Sequence, residues 1–219
     1  MLDVTDRNGK KDIKSMTLEE LTKELAALGE KPFRAKQIYD WLHVKMATDF
    51  EQMSSLSRDL RARLSQCCSI TALKTVGERI SAADGTRKYL FGLEDGNVIE
   101  SVWMQYHHGN SVCISSQVGC RMGCRFCAST LDGLERNLRP SEMLDQIYRC
   151  IFIQAFHTRI THPIAMFGSC QPEHEFKEVN PSGNLMIYNK FGLGNGRRDV
   201  VSCKTFAECS RFSINMSYR

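Results

Sequence analysis

Three cysteines fall within eight residues, in the run Cys120-Arg121-Met122-Gly123-Cys124-Arg125-Phe126-Cys127. Thiolates at this spacing can converge on one centre, and the segment must then fold around that centre. A structural zinc site wants four ligands, usually as two close pairs; here there is one triplet and no second pair nearby. An iron–sulfur cluster with three protein ligands leaves one iron open to another molecule. The spacing also differs from the C-x2-C-x2-C of ferredoxin loops. Arg121 and Arg125 lie between the ligands, where positive charge favours thiolate over thiol, although simple solvation accounts for them equally well.

The chain holds ten cysteines in 219 residues. Met1 to Lys14 is polar and no apolar run is long enough to span a bilayer, so neither a secretory signal nor a membrane anchor is expected. A reducing, cytoplasmic compartment follows, where clustered cysteines point to metal or redox chemistry rather than to a disulfide scaffold. Hydrophobic residues at 42% and charged residues at 25% exclude a disordered or collagen-like chain. A net charge of +4 permits nucleic-acid binding without demanding it.

The first stretch has helical periodicity. Thr17 and Glu20 form a capping box, Leu18, Leu21, Leu25 and Leu28 follow at helical spacing, and Gly29 ends the run. A second helix is expected from Pro32, carrying Phe33, Ile38, Trp41 and Leu42. A third carries Leu56, Leu60 and Leu64. Together they predict a helical module over residues 1–69. The period then changes. Arg87 to Leu93 and Asn97 to Met104 are strand-like runs joined at Asp95-Gly96, which predicts a β-hairpin connection over residues 70–110. A strand from Ser111 to Ser116 leads into the cysteine loop, and Pro140 to Ile153 reads as a helix capped by Ser141. His107-His108 beside Gly109-Asn110 reads as a turn rather than a metal site. The tail has turn residues at Asn180 to Gly183 and Gly192 to Gly196 and a poor apolar pattern.

C-x3-C-x2-C is the signature of radical S-adenosylmethionine (SAM) enzymes. Three wider runs narrow the resemblance: Phe33 to Leu42 (FRAKQIYDWL), Val98 to Val102 (VIESV), and Asn110 to Cys120 (NSVCISSQVGC). From about Thr17 to Arg149 the sequence resembles the bacterial 23S rRNA adenine-C2 methyltransferases, dual-specificity enzymes for rRNA and tRNA. The resemblance implies that Cys120, Cys124 and Cys127 hold a [4Fe-4S] cluster whose open iron binds SAM. It implies a protein methylcysteine, formed from one SAM near the C-terminus, from which a 5′-deoxyadenosyl radical made from a second SAM takes hydrogen. The carbon radical then adds to C2 of adenine. It also implies an external, flavodoxin-type electron donor and a monomer.

Cys113 matches the family's resolving cysteine, which frees the RNA adduct by disulfide formation. On an alternating strand, Ser111, Cys113 and Ser115 share a face; without the resemblance, a lone cysteine there reads as a small buried hydrophobe. Glu100 matches the family's proton acceptor. It shares a strand face with Val98 and Val102, where desolvation would raise its pKa; the plainer alternative is an edge-strand glutamate pointing to solvent. Lys31, Arg34, Lys36, Arg58, Arg61 and Arg63 of the helical module could meet RNA phosphates. Residues 1–64 nevertheless carry twelve Lys+Arg against eleven Asp+Glu, a net of +1, too little to argue RNA binding by itself.

The tail departs from the family pattern. Where the family has G-x-G-E-P for SAM, this chain reads Gly168-Ser169-Cys170-Gln171-Pro172, so Cys170 and Gln171 stand at SAM-binding positions. Ser202, in Val200 to Cys203, matches a serine that contacts SAM. Ser111 to Arg219 spans 109 residues, against roughly 200 or more for a full barrel. The expected fold is therefore α/β: a small N-terminal helical domain plus β-hairpin, then a partial radical-SAM (β/α) barrel over residues 111–219. Truncation or a gene-model error is expected, with the methyl carrier missing. Two rivals remain: a catalytically inactive RNA-binding remnant, and a module stabilised by zinc on Cys113, Cys120, Cys124 and Cys127. Cys67, Cys68, Cys150, Cys203 and Cys209 have no assigned role.

Overall fold

The computed structural model describes residues 5–106, 109–121, 128–153, 160–165, 177–179, 185–189 and 199–203, the later strands by backbone alone. The chain divides into two units, residues 1–72 with 139–141, and residues 73–138 with 142–219.

The first unit is built on three helices and a short parallel strand pair. Strand β1 (Lys11–Asp12) pairs with β2 (Cys68–Ser69). Helix α1 (Leu18–Ala27) starts in the expected capping box: Thr17 accepts from the Glu20 backbone, and the Glu20 carboxylate accepts from the Thr17 N–H. It ends at Gly29, whose φ of +78° suits glycine, with the Gly29 and Glu30 N–H groups closing on Ala26 and Leu25 carbonyls. Helix α2 (Pro32–His43) opens with proline in its first turn, where no N–H is needed. Helix α3 (Arg58–Cys67) is capped by Ser57. Their apolar stripes, Leu21 and Leu25, Ala35, Ile38 and Leu42, and Leu60 and Leu64, meet in one core with Met53 and Phe50.

Beside that core lies a buried polar knot. One carboxylate oxygen of Asp12 accepts from the hydroxyls of Ser15, Thr71 and Ser141, with Arg139 at 3.7 Å. Buried Lys14 donates to the Thr71 carbonyl at 2.9 Å. A buried carboxylate is tolerated only when so many donors replace water.

The second unit centres on a five-stranded sheet ordered β3-β4-β5-β6-β9. Strands β3 (Lys74–Ile80), β4 (Arg87–Gly92), β5 (Val98–Tyr106) and β6 (Gly109–Ile114) run antiparallel in sequence. The β4–β5 turn places Gly96 at φ +89° after a Leu93–Gly96 backbone bond, so the Asp95-Gly96 signal is met. After β6 the chain forms β7 (Gln117–Gly119), β8 (Leu134–Asn137) and helix α4 (Pro140–Ile153), then returns as β9 (Ile160–Ala165), parallel to β6. This strand–helix–strand crossover is the one parallel step among the described residues of the sheet. Helix α4 lays Met143, Ile147 and Cys150 on Tyr89, Phe91, Ile99, Trp103, Val112 and Ile114.

Past β9, the described strands do not extend the parallel arrangement expected of a barrel. Strands β10 (Lys177–Val179), β11 (Leu185–Asn189) and β12 (Asp199–Cys203) make a separate antiparallel sheet. The reason is connection length: parallel neighbours need crossovers of about a dozen residues or more, and only five residues part β10 from β11 and nine part β11 from β12.

His43 gives the first unit a defined acid sensitivity. Burial, reinforced by the charge of Lys14, pushes its pKa down from 6.5 to about 4. The folded state thus holds His43 neutral where the unfolded chain protonates it. Stability is complete above pH 6.5 and drains away as pH falls toward 4, by up to about 3 kcal/mol. Urea midpoints followed by Trp41 fluorescence in a Trp103→Phe background should fall between pH 7 and pH 4.5. His43→Phe should flatten that dependence.

Candidate active site

Strand β6 delivers the chain to the cysteine loop, and a hydrogen-bond network around Gln146 fixes where it arrives. Gln146 of α4, fully buried, accepts through Oε1 from the Ser101 hydroxyl (2.7 Å) and the Ser115 N–H (2.8 Å). Its Nε2 donates to the carbonyls of Ser115 (2.9 Å) and Glu142 (3.2 Å). Ser115 in turn donates its hydroxyl to the Glu100 carbonyl at 2.7 Å. A fully satisfied amide in a core specifies one register.

The loop itself is closed by a neck. Strand β7 pairs with β8, placing Gly119 opposite Leu134. The Cys120 N–H donates to the Gly133 carbonyl at 2.9 Å. Gly119 sits at φ +72°, and a Cβ there would fall 2.0 Å from the Gly133 oxygen. Only glycine closes this neck. Arg136 on β8 braces it from behind, reaching Asp95 in the hairpin turn and forming a two-pronged pair with Glu142 at 2.8 and 2.9 Å. Burial opposes the guanidinium charge, but Glu142 and Asp95 together hold its pKa above the usual arginine value. Burial likewise opposes ionisation of Asp95, yet the Asn97 N–H and Arg136 carry its pKa below the usual carboxylate value.

Of the three proposed cluster ligands, Cys120 is described: it is buried, at the first residue past the neck. Cys124 and Cys127 lie outside the described residues, as do Cys170, Gln171 and His107-His108. Ser202 lies on β12, opposite Met186 of β11. Three thiolates spaced C-x3-C-x2-C in a loop pinched at its base suit a compact, soft metal centre in donor type and spacing.

Glu100 and Cys113 meet on one sheet face. Cys113 pairs with Val102 across β5–β6, and Glu100 is two residues along on β5. They are therefore diagonal neighbours, on the face opposite α4. The expected desolvation of Glu100 is not found. Its side chain is 57% exposed and both carboxylate oxygens lie 3.2 Å from Lys88 Nζ. The alternation that buries Ile99, Ser101 and Trp103 leaves the even positions on the open face. Cys113 is half-buried.

The basic residues of the helical module divide into two groups. Arg61 is bound to the Glu51 carbonyl and carboxylate, and Arg63 to Glu30, Asp59 and the Leu28 carbonyl. These two are paired with acidic groups and carbonyls within the unit. Lys31, Lys36 and Arg58 are exposed and make no ion pair among the described residues. Arg34 lies 4.9 Å from the ring centre of exposed Phe33, and Lys45 lies 3.6 Å from that of Trp41. Cations over aromatic rings on one helix are a surface that bases and phosphates could both use.

The remaining described thiols lie elsewhere. Burial lifts Cys150 to about 12. Burial, aided by its neighbour Cys67 at an Sγ–Sγ distance of 3.5 Å, lifts Cys68 to about 12. Gln146, Arg136 and Gly119 were not singled out from sequence. A polar residue on the α4 apolar stripe was the available signal for Gln146; the other two depend on long-range pairing.

Residues 11–70 match the family model "Ribosomal RNA large subunit methyltransferase N-terminal domain". Over 190 residues, 87% of this chain, the sequence is 57% identical to "Probable dual-specificity RNA methyltransferase RlmN" of Lachnoclostridium phytofermentans. The chain is a relative of the RlmN methyltransferases. A second RlmN, from Alkaliphilus oremlandii, is 46% identical over 94% of the chain. The chain spans about half the length of such relatives, 52% of the first and 61% of the second. Among solved structures, a radical SAM methyltransferase from Sphaerobacter thermophilus matches with a TM-score of 0.62 at 39% identity, covering 69% of this chain and 45% of that one. No described helix is long and apolar enough to cross a membrane.

The neck makes a sharp prediction for an RlmN relative. Gly119→Ala should reconstitute with only a small fraction of the parent's iron and sulfide, measured by colorimetric assay after anaerobic loading. An unchanged helical circular dichroism signal would place the damage at the loop.

Proposed function

We propose that this chain forms the RNA-recognising and cluster-binding portion of a cytoplasmic radical SAM methyltransferase that acts on C2 of an adenine in 23S rRNA and tRNA. The supporting observation is that the C-x3-C-x2-C loop springs, through a glycine-only neck, from the strand that carries Cys113, beside Glu100 on the same sheet face. Cys120, Cys124 and Cys127 would hold a [4Fe-4S] cluster, which when bound supplies the electron that cleaves SAM. Cys170, Gln171 and Ser202 would contact SAM, and a flavodoxin-type protein would be the donor.

In this reading the chain's own residues perform the later proton and thiol steps. Glu100 accepts the proton from adenine C2. Lys88, bridging both its oxygens, fixes which way the carboxylate faces. The Cys113 thiolate attacks the sulfur of the methyl-carrying cysteine; the S–S bond forms as that sulfur's bond to the RNA methylene breaks, and the released methylene takes up a proton to become the methyl group. Water reaches Glu100 from the open face, so the substrate itself would have to exclude it. A monomeric state belongs to the same proposal.

Anaerobic reconstitution followed by electron paramagnetic resonance of the reduced protein tests it. A [4Fe-4S] signal that changes when SAM is added is the expected result, lost in Cys124→Ala. Zinc without inorganic sulfide would overturn it in favour of a zinc-stabilised module. A protein that binds RNA but takes up no cluster would be a non-catalytic remnant.

A further inference from the structure

The open face of the sheet carries charge in an arrangement that folding alone disfavours. Arg79 on edge strand β3 sits directly opposite Lys88 on β4, Lys88 opposite Val102, and Val102 opposite Cys113. Directly opposed residues of an antiparallel pair point to the same side, and like charges so placed destabilise the pair. Lys88 is partly compensated by Glu100. Arg79 makes no ion pair among the described residues. Lys74, opposite Gly92, is on the same face and is likewise unpaired there. Acidic Glu78 points the other way and is occupied by Arg87 at 2.9 Å. Between the cations lie Val76 and Val98, 58% and 51% exposed. Val76 lies on edge strand β3, which is exposed nearly throughout, and Val98 begins β5.

We infer that this face is an RNA-docking surface, with Arg79 and Lys74 taking backbone phosphates of the nucleotides that flank the target. The inference rests on the proposed function and adds to it a route by which the nucleotide reaches Cys113. Arg79 and Cys113 belong to the same cross-strand row, three strand spacings or roughly 14 Å apart. A strand of RNA laid along that row is held at one end by guanidinium and presents its base at the other. The exposed valines give the ribose and base edges an apolar bed. Glu100, the face's one acidic group in this row and the next, is covered by Lys88 and so does not repel the incoming backbone. Charge complementarity and continuity with Cys113 favour RNA over an acidic peptide, which would not need the row to end at a thiol.

The test uses the full chain and a fluorescein-labelled, adenine-containing RNA stem-loop, with affinity measured by anisotropy over a range of salt. Arg79→Gln should raise Kd by about threefold to tenfold and reduce the slope of log Kd against log salt by about one. Arg79→Glu should weaken binding further. The same Arg79→Gln change removes a like-charge neighbour, so its thermal midpoint should hold or rise while RNA affinity falls. Lys23→Gln, exposed on α1, serves as the control and should bind as the parent does. Parent-like affinity and salt slope in both Arg79 variants would overturn the docking surface and leave the proposed function intact. A parent that binds no RNA would overturn both. Equal weakening of an acidic peptide of matched charge would replace RNA with a protein partner and overturn this inference alone.

Discussion

Gln146 makes four hydrogen bonds from inside an apolar interface, and the geometry of the candidate site follows from them. Its amide joins α4 to β5 at Ser101 and to the end of β6 at Ser115. The place where β6 stops, the start of β7 and the position of Glu100 relative to Cys113 are set at that point. Losing one partner of a buried polar group costs the desolvation of those left behind, on the order of 1–3 kcal/mol. A wrong register here therefore carries a penalty comparable with a core cavity. The sheet can be open on its other face because its registration is secured on this one.

The two units solve the burial of charge differently. In the first, Asp12 is surrounded by three hydroxyl donors, and the knot involves residues from both ends of the unit's sequence, Asp12 and Ser15 on one side and Thr71 and Ser141 on the other. In the second, Arg136 is the shared partner of Asp95 and Glu142. It ties the hairpin turn and the first turn of α4 to the strand that leaves the cysteine loop. Bidentate guanidinium–carboxylate geometry is directional as well as strong, so the loop is braced in orientation as well as position.

Much of this was legible in sequence where local rules decide. The capping box at Thr17, the glycine stop at Gly29, the turn at Asp95-Gly96 and the span of α4 depend on neighbours a few residues away. The shared face of Glu100 and Val98 follows from strand parity. Parity could not say which face would be covered, because that depended on the side taken by α4, more than forty residues later. The pairing of Arg61 and Arg63 with acids was hidden for a related reason: Glu51 and Glu30 are brought to them by helix packing. Gly119 looked like any loop glycine until β8 folded back on it. The short antiparallel strands after β9 replaced the expected barrel continuation because connection length overrides analogy.

The burial of Cys68 and Cys150 bears on how a metal centre could be assembled without error. Iron and sulfide are captured by thiolates, and a chain with ten cysteines offers many wrong combinations. Raising two of those thiols to about 12 leaves them protonated under the conditions in which a cluster forms. The hydrophobic cores thus act as protecting groups, in the synthetic chemist's sense. They mask two competing nucleophiles.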